Sequence, residues 1–158
     1  MKDYNLDNQS IKQVLNFAKT IAIVGVSSIK TEIASNIIRR PSIIVMKYLQ
    51  EFGYQVIPVN PKSAGQRING EVAIAKLEDV KKKIDIVNVF RPSKYTPEIA
   101  EEAVQIGAKV LWLQYGIQNE NAKEIAKSAN IIYIENKCIK QEYQKLFLKV
   151  NPVFPVLQ

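Results

Sequence analysis

Apolar positions along the chain switch repeatedly between two periods. From residue 10 to 18, Ile11, Val14, Leu15 and Ala18 fall at the i, i+3, i+4, i+7 spacing of an amphipathic helix, with Ser10 as its N-cap. Residues 20–25 (TIAIVG) form a short β-branched run ending in glycine, the pattern of a buried strand. Residues 42–52 again repeat helically and stop at Gly53, a helix-ending glycine. A second strand follows at 55–59 (QVIPV), ended by Asn60-Pro61. Gly65, Asn69 and Gly70 mark residues 62–71 as loop, with a short extended piece at 72–74. The pattern then predicts a surface helix over 77–83, a third strand at 84–90 (IDIVNVF), a helix over 97–106 ended by Gly107, and a fourth strand at 109–113 (KVLWL). A helix over 120–129, a fifth strand at 131–134 (IIYI) and a closing helix over 138–148 complete it.

Strands that lack a polar face and alternate with helices specify an α/β fold, a parallel sheet covered on both faces. Right-handed crossovers leave few topologies, and a Rossmann-like open sheet in the order 3-2-1-4-5 is expected. The length of 158 residues suits one domain of 1–158, with a core at 20–148, an N-terminal helix at 10–18 and a C-terminal tail at 151–158. The tail, NPVFPVLQ, sets four large apolar residues around two prolines, which suits packing against its own sheet or a partner subunit. A homo-oligomer is therefore open.

Composition removes several chemistries. The chain has no histidine, which excludes a Ser-His-Asp triad, a His-paired cysteine nucleophile, a phosphohistidine relay and imidazole-based zinc sites. One cysteine, Cys138, cannot make an intrachain disulfide or a cysteine-rich metal site, so a reducing, cytoplasmic setting is expected and no metal site is. Apolar runs such as 43–46 and 110–113 are far short of the ~20 residues that span a bilayer. The first ten residues lack the apolar core of a signal peptide.

Net charge is +7, with Lys+Arg 22 against Asp+Glu 15. Only four of those cations are arginine, the residue that bidentate phosphate and base-edge recognition favours, and no nucleic-acid-binding motif appears. A small anionic ligand is a better use of a few placed cations.

In open α/β sheets ligands bind beyond the carboxyl ends of the strands, near the point where strand order reverses, here expected between the first and fourth strands. After the first strand come Gly25, Ser27 and Ser28: one glycine for close backbone approach and two hydroxyls, a single-glycine relative of a dinucleotide fingerprint. Pro41 and Ser42 open the next helix, whose free amides attract phosphate, and Arg40 stands beside them. After the second strand stand Asn60, Pro61 and Lys62, where NAD-binding proteins place an acid. A cation there suits a phosphorylated ribose, as in NADP or coenzyme A. After the third strand come Phe90, Arg91 and Pro92, and after the fourth come Gln114, able to pair with an amide, and Gly116. Trp112 and Leu113 are core residues by the same pattern.

The chain resembles the small CoA-binding domain proteins, single-domain Rossmann-like relatives of the amino-terminal domain of succinyl-CoA synthetase alpha subunits. The resemblance rests on IAIVGVS at 21–27, RPS at 40–42, YLQEFGYQVIPVNP at 48–61, DIVNVFRPS at 85–93, IGAKVLWLQYGI at 106–117 and CIKQEY at 138–143. It implies binding of coenzyme A or an acyl-CoA. Gly25, Ser27 and Ser28 would line the phosphate loop, with Arg40 and Ser42 at the mouth of the helix behind it. Asn60, Pro61 and Lys62 would lie beside the adenosine and its 3′-phosphate. Phe90, Arg91 and Pro92 would cover the diphosphate, and Gln114 and Gly116 would lie along the pantetheine. Residues 29–39 (IKTEIASNIIR) exceed the family's usual spacing, which leaves open the path of this loop and the role of Ser28.

No catalytic constellation is legible. A CoA-binding module without catalysis of its own is the leading expectation. The alternatives are an NADP-dependent oxidoreductase, which would need a catalytic acid that the pattern does not supply, and a partner subunit of an acyl-CoA ligase. Cys138, at the start of the last helix between Lys137 and Lys140, suits either a small buried hydrophobe or a mixed disulfide with the coenzyme thiol.

Overall fold

The computed structural model describes residues 6–26 and 41–149. Five parallel strands form its centre: β1 (Thr20–Val24), β2 (Gln55–Val59), β5 (Ile86–Val89), β6 (Val110–Leu113) and β7 (Ile132–Ile134). Between β2 and β5 lies a small antiparallel pair, β3 (Arg67–Ile68) and β4 (Glu71–Val72). Helices α1 (Asn8–Phe17), α2 (Pro41–Glu51) and α5 (Ile139–Tyr143) cover one face of the sheet, and α3 (Thr96–Gln105) and α4 (Glu120–Ser128) the other. The apolar runs are buried on both faces, which is why they show no polar alternation.

The α/β class and the parallel sheet agree with the sequence pattern, but the strand order does not. The order is β2-β1-β5-β6-β7, or 2-1-3-4-5 when only the parallel strands are counted, in place of 3-2-1-4-5. The third strand lies between the first and fourth, and β2 is an edge. Pro58 gives the physical reason, because proline has no N–H to offer a second neighbouring strand and is confined to edges. On that open side the Pro58 carbonyl accepts from Ile74 N at 2.9 Å and Asn60 N donates to the Ile74 carbonyl at 2.8 Å. The place beside β2 is thus taken by a short bridge, Val59 to Ile74. The switch point moves to the gap between β1 and β5.

Local chemistry explains the remaining boundaries. Asp7, not Ser10, caps α1: its carboxylate accepts from Ser10 N at 2.8 Å. Helices α2, α3 and α4 end in the same way, with the residue after the cap in the left-handed region and paired backbone bonds closing the last turn. Gly53, Gly107 and Asn130 fill that position. Each such end leads directly towards a strand. The predicted helix over 77–83 is only a 3-10 turn, Leu77–Asp79. The loop at 62–71 folds into the β3–β4 hairpin because Asn69 and Gly70 both take positive φ, the geometry of a tight hairpin turn. The closing helix is α5 followed by a wider π turn, Gln144–Leu148.

Asp85 anchors the amino ends of three strands. Its carboxylate accepts from Lys19 N at 2.8 Å and Thr20 N at 3.1 Å, and its carbonyl accepts from Lys109 and Val110. No helix among the described residues is long and apolar enough to cross a membrane.

Candidate functional site

Val24, Val59 and Val89 stand side by side at the carboxyl ends of β1, β2 and β5, and the chain leaves each strand toward the same edge. After β1, Gly25 takes φ +107° and crosses against the backbone that follows β5. A Cβ there would lie 3.2 Å from the Phe90 carbonyl carbon and oxygen and 3.4 Å from Arg91 Cδ. The backbone is closed around this glycine: Gly25 N donates to the Val59 carbonyl at 2.8 Å, and Phe90 N to the Val24 carbonyl at 2.9 Å. A side chain here would meet both a strained positive φ and the crowded Phe90 backbone, and glycine avoids both.

Asn60 joins the loops after β1 and β2. It is buried, its Nδ2 donates to the Val26 carbonyl at 2.8 Å, and its Oδ1 accepts from Lys62 N at 3.0 Å. Its amide therefore shapes the site. Pro61 starts a 3-10 turn, Pro61–Ser63, and Lys62 in that turn is exposed.

These loops border a cleft of about 550 Å³. Val24, Gly25, Val59, Asn60, Pro61 and Arg91 line its inner side. Residues 75–78 form one wall, and Tyr95 with one side of α3, through Glu98, Ile99, Glu101, Glu102 and Gln105, forms the other. Arg91 Cζ lies 4.4 Å from the centre of the Tyr95 ring. Four carboxylates, Glu78, Glu98, Glu101 and Glu102, face the same space. Partial burial raises the Glu102 pKa above the ordinary 4.5, and the charges of Glu98 and Glu78 push it further the same way against Lys76. The cleft is cationic at the Gly25–Arg91 crossing and acidic along α3.

Of the residues singled out in the sequence, Gly25, Asn60, Pro61 and Arg91 come together here. Phe90 contributes backbone to the crossing, and Pro92 caps the 3-10 turn that carries Tyr95. Ser42 is buried in the first turn of α2. Gln114 turns inward: its Oε1 accepts from Asn88 Nδ2 and from Ile139 N, each at 3.4 Å, so its carboxamide joins β5, β6 and the start of α5. Gly116 sits in an exposed turn, where its N–H donates to Asn136 Oδ1 at 2.6 Å. Trp112 is fully buried and donates from Nε1 to the Lys137 carbonyl at 2.8 Å. Cys138 is partly buried against the core at the N-cap of α5, a helix of only five residues. Ser27, Ser28, Arg40 and the extra stretch 29–39 lie outside the described residues, as does the tail 151–158.

Sequence reading missed the α3 wall. The signal was present, since Glu98, Glu101, Glu102 and Gln105 recur at helical spacing on one face and Tyr95 stands one turn after Arg91. It also missed Asn88, a fully buried amide in the middle of the apolar strand β5.

Residues 19–144 match the family model described as the CoA binding domain. The chain is 38% identical over 136 residues to the uncharacterized protein YneT of Bacillus subtilis (strain 168), covering 86% of this chain and 93% of that protein. It is 29% identical to an ADP-forming acetate–CoA ligase of Methanocaldococcus jannaschii over 87% of this chain but only 18% of the ligase. Among solved structures, a Thermus thermophilus protein superposes with a TM-score of 0.81 at 34% identity, over 90% of this chain and all of that one (100%). A Pyrococcus horikoshii OT3 protein gives 0.80 at 35% identity, covering 92% and 99%.

Proposed function

The chain belongs to the CoA-binding domain family, and on that premise we propose that it binds coenzyme A or an acyl-CoA at the carboxyl ends of β1, β2 and β5, without catalysis of its own. The observation that carries the reading is the crossing of Gly25 with Phe90 and Arg91 at the inner end of the cleft. A nucleotide diphosphate needs a cation beside it, and the crossing, closed by its own backbone hydrogen bonds, sets Arg91 on the lining of the cleft. Lys62, exposed in the turn after β2, is the cation for the 3′-phosphate of the adenosine, with Asn60 fixing the turn that carries it. The α3 carboxylates belong to the end of the cleft that receives uncharged, hydrogen-bonding parts of the ligand, because they repel phosphate. Coenzyme A supplies a thiol that carries acyl groups. This chain's residues would bind and orient its nucleotide end. The absence of histidine, together with a single cysteine, fits a carrier in a reducing compartment such as the cytoplasm.

The likeness to ADP-forming acetate–CoA ligases supports a second reading, a CoA-binding part that works with a partner chain. Both readings require CoA. Thermal unfolding with CoA, acetyl-CoA, NAD and NADP side by side tests the ligand. At 100 times its dissociation constant CoA adds about 2.7 kcal/mol of stability. For a chain of this size that raises Tm by about 5–10 °C. A shift with NADP and none with either CoA species would overturn the reading in favour of an oxidoreductase.

A further inference from the structure

Arg91 is held in an unusual way for an arginine beside four carboxylates. Among the described residues the ion pairs run between Lys76 and Glu78, Lys109 and Asp85, Lys123 and both Glu120 and Glu135, and Lys145 and Glu142, and none involves Arg91. Instead its guanidinium carbon lies 4.4 Å from the Tyr95 ring centre, while its Cδ lies against Gly25. Tyr95 remains 37% exposed and lines the cleft together with Arg91, with Lys94 Nζ 5.2 Å from the ring centre. A carboxylate partner would fix the arginine but occupy its N–H donors and cancel its charge. An aromatic face fixes the guanidinium plane and leaves the N–H edge free.

We infer that Tyr95 is a positioning residue for anion binding: its ring clamps the Arg91 side chain against Gly25, so that a charged guanidinium is pre-oriented for the ligand's phosphates and kept from pairing with the α3 carboxylates. This rests on the CoA-binding reading and adds to it a residue that acts through Arg91. Pre-orientation lowers the ordering cost of binding, so the effect belongs to affinity for phosphate-bearing ligands.

Calorimetric titration with CoA, and with pantetheine as a ligand without phosphates, tests it in wild type, Tyr95→Ala, Tyr95→Leu, Tyr95→Phe, Arg91→Ala and the Arg91→Ala/Tyr95→Ala double variant. Tyr95→Ala and Tyr95→Leu each weaken CoA about three- to ten-fold, the span of a ring–cation contact, and Tyr95→Phe restores wild-type affinity. In the Arg91→Ala background, loss of the ring has no further effect, and pantetheine binding is unmoved by the Tyr95 variants. Wild-type CoA binding that Tyr95→Ala leaves intact, a loss that persists without Arg91, or failure of Phe to rescue overturns the positioning role alone. A wild-type protein that binds no CoA overturns the ligand reading and this role with it.

Discussion

At Gly25 two requirements coincide, a positive φ of +107° and a backbone neighbour 3.2 Å from where a Cβ would stand. Gly53 has a similar φ of +98° but open space around it. Gly25→Ala therefore pays for strained backbone and for a steric conflict with Phe90, and loses about 1–3 kcal/mol. Gly53→Ala loses less, and urea unfolding of the two variants ranks them. Glu102 makes a prediction of opposite sign. Its folded pKa is raised, so its stabilising contribution is complete below the ordinary 4.5 and is lost as pH rises through the folded value. Glu102→Gln accordingly raises Tm at pH 7, and the gain vanishes near pH 4. A gain that persists at pH 4 would show that the partly buried, ionised carboxylate is not its cause.

At the scale of elements, Asn60 ties the loop after β1 to the turn after β2. Asn60→Ala leaves the Val26 carbonyl without that donor and costs about 1–3 kcal/mol, measured by denaturant unfolding. Asn60→Asp keeps the acceptor for Lys62 N but sets a buried carboxylate oxygen against the Val26 carbonyl, acceptor to acceptor, and loses at least as much as alanine. The five parallel strands and four of the helices were legible because their periodicity is strong and the residues that end them, Gly53 and Gly107, are explicit. The expected strand order of 3-2-1-4-5 differs from the observed one, although Pro58 marks β2 as an edge, because periodicity reports burial and says nothing of which strands are neighbours. The segment 77–83 has helical spacing but too few apolar contacts to hold more than one 3-10 turn, and only Leu77 of that turn is buried. The Asn69-Gly70 turn was visible as a loop signal, but strands of two residues carry no alternation to read.

Across the whole molecule, the parallel sheet sends Gly25, Asn60, Pro61 and Arg91 to one edge, and this part of the candidate site followed from reading what stands after each strand. Gln114 also stands after a strand, but the buried amide of Asn88 on the neighbouring strand draws it inward. The α3 wall was not legible because its carboxylates are separated from the strand ends by a turn and meet the cleft only through helix packing. The excess of positive charge is largely surface lysine, and the cleft itself combines Arg91 at its inner end with carboxylates along one side. On this reading CoA binds at this edge of the sheet. Mapping backbone amide shifts by NMR during titration with CoA tests it directly: the largest changes fall at Gly25, Val26, Asn60, Lys62 and Arg91. Absence of shifts at saturating CoA, or changes concentrated at the opposite strand ends around Phe17, Gly107 and Asn130, would rule out a CoA site at the Gly25–Arg91 edge.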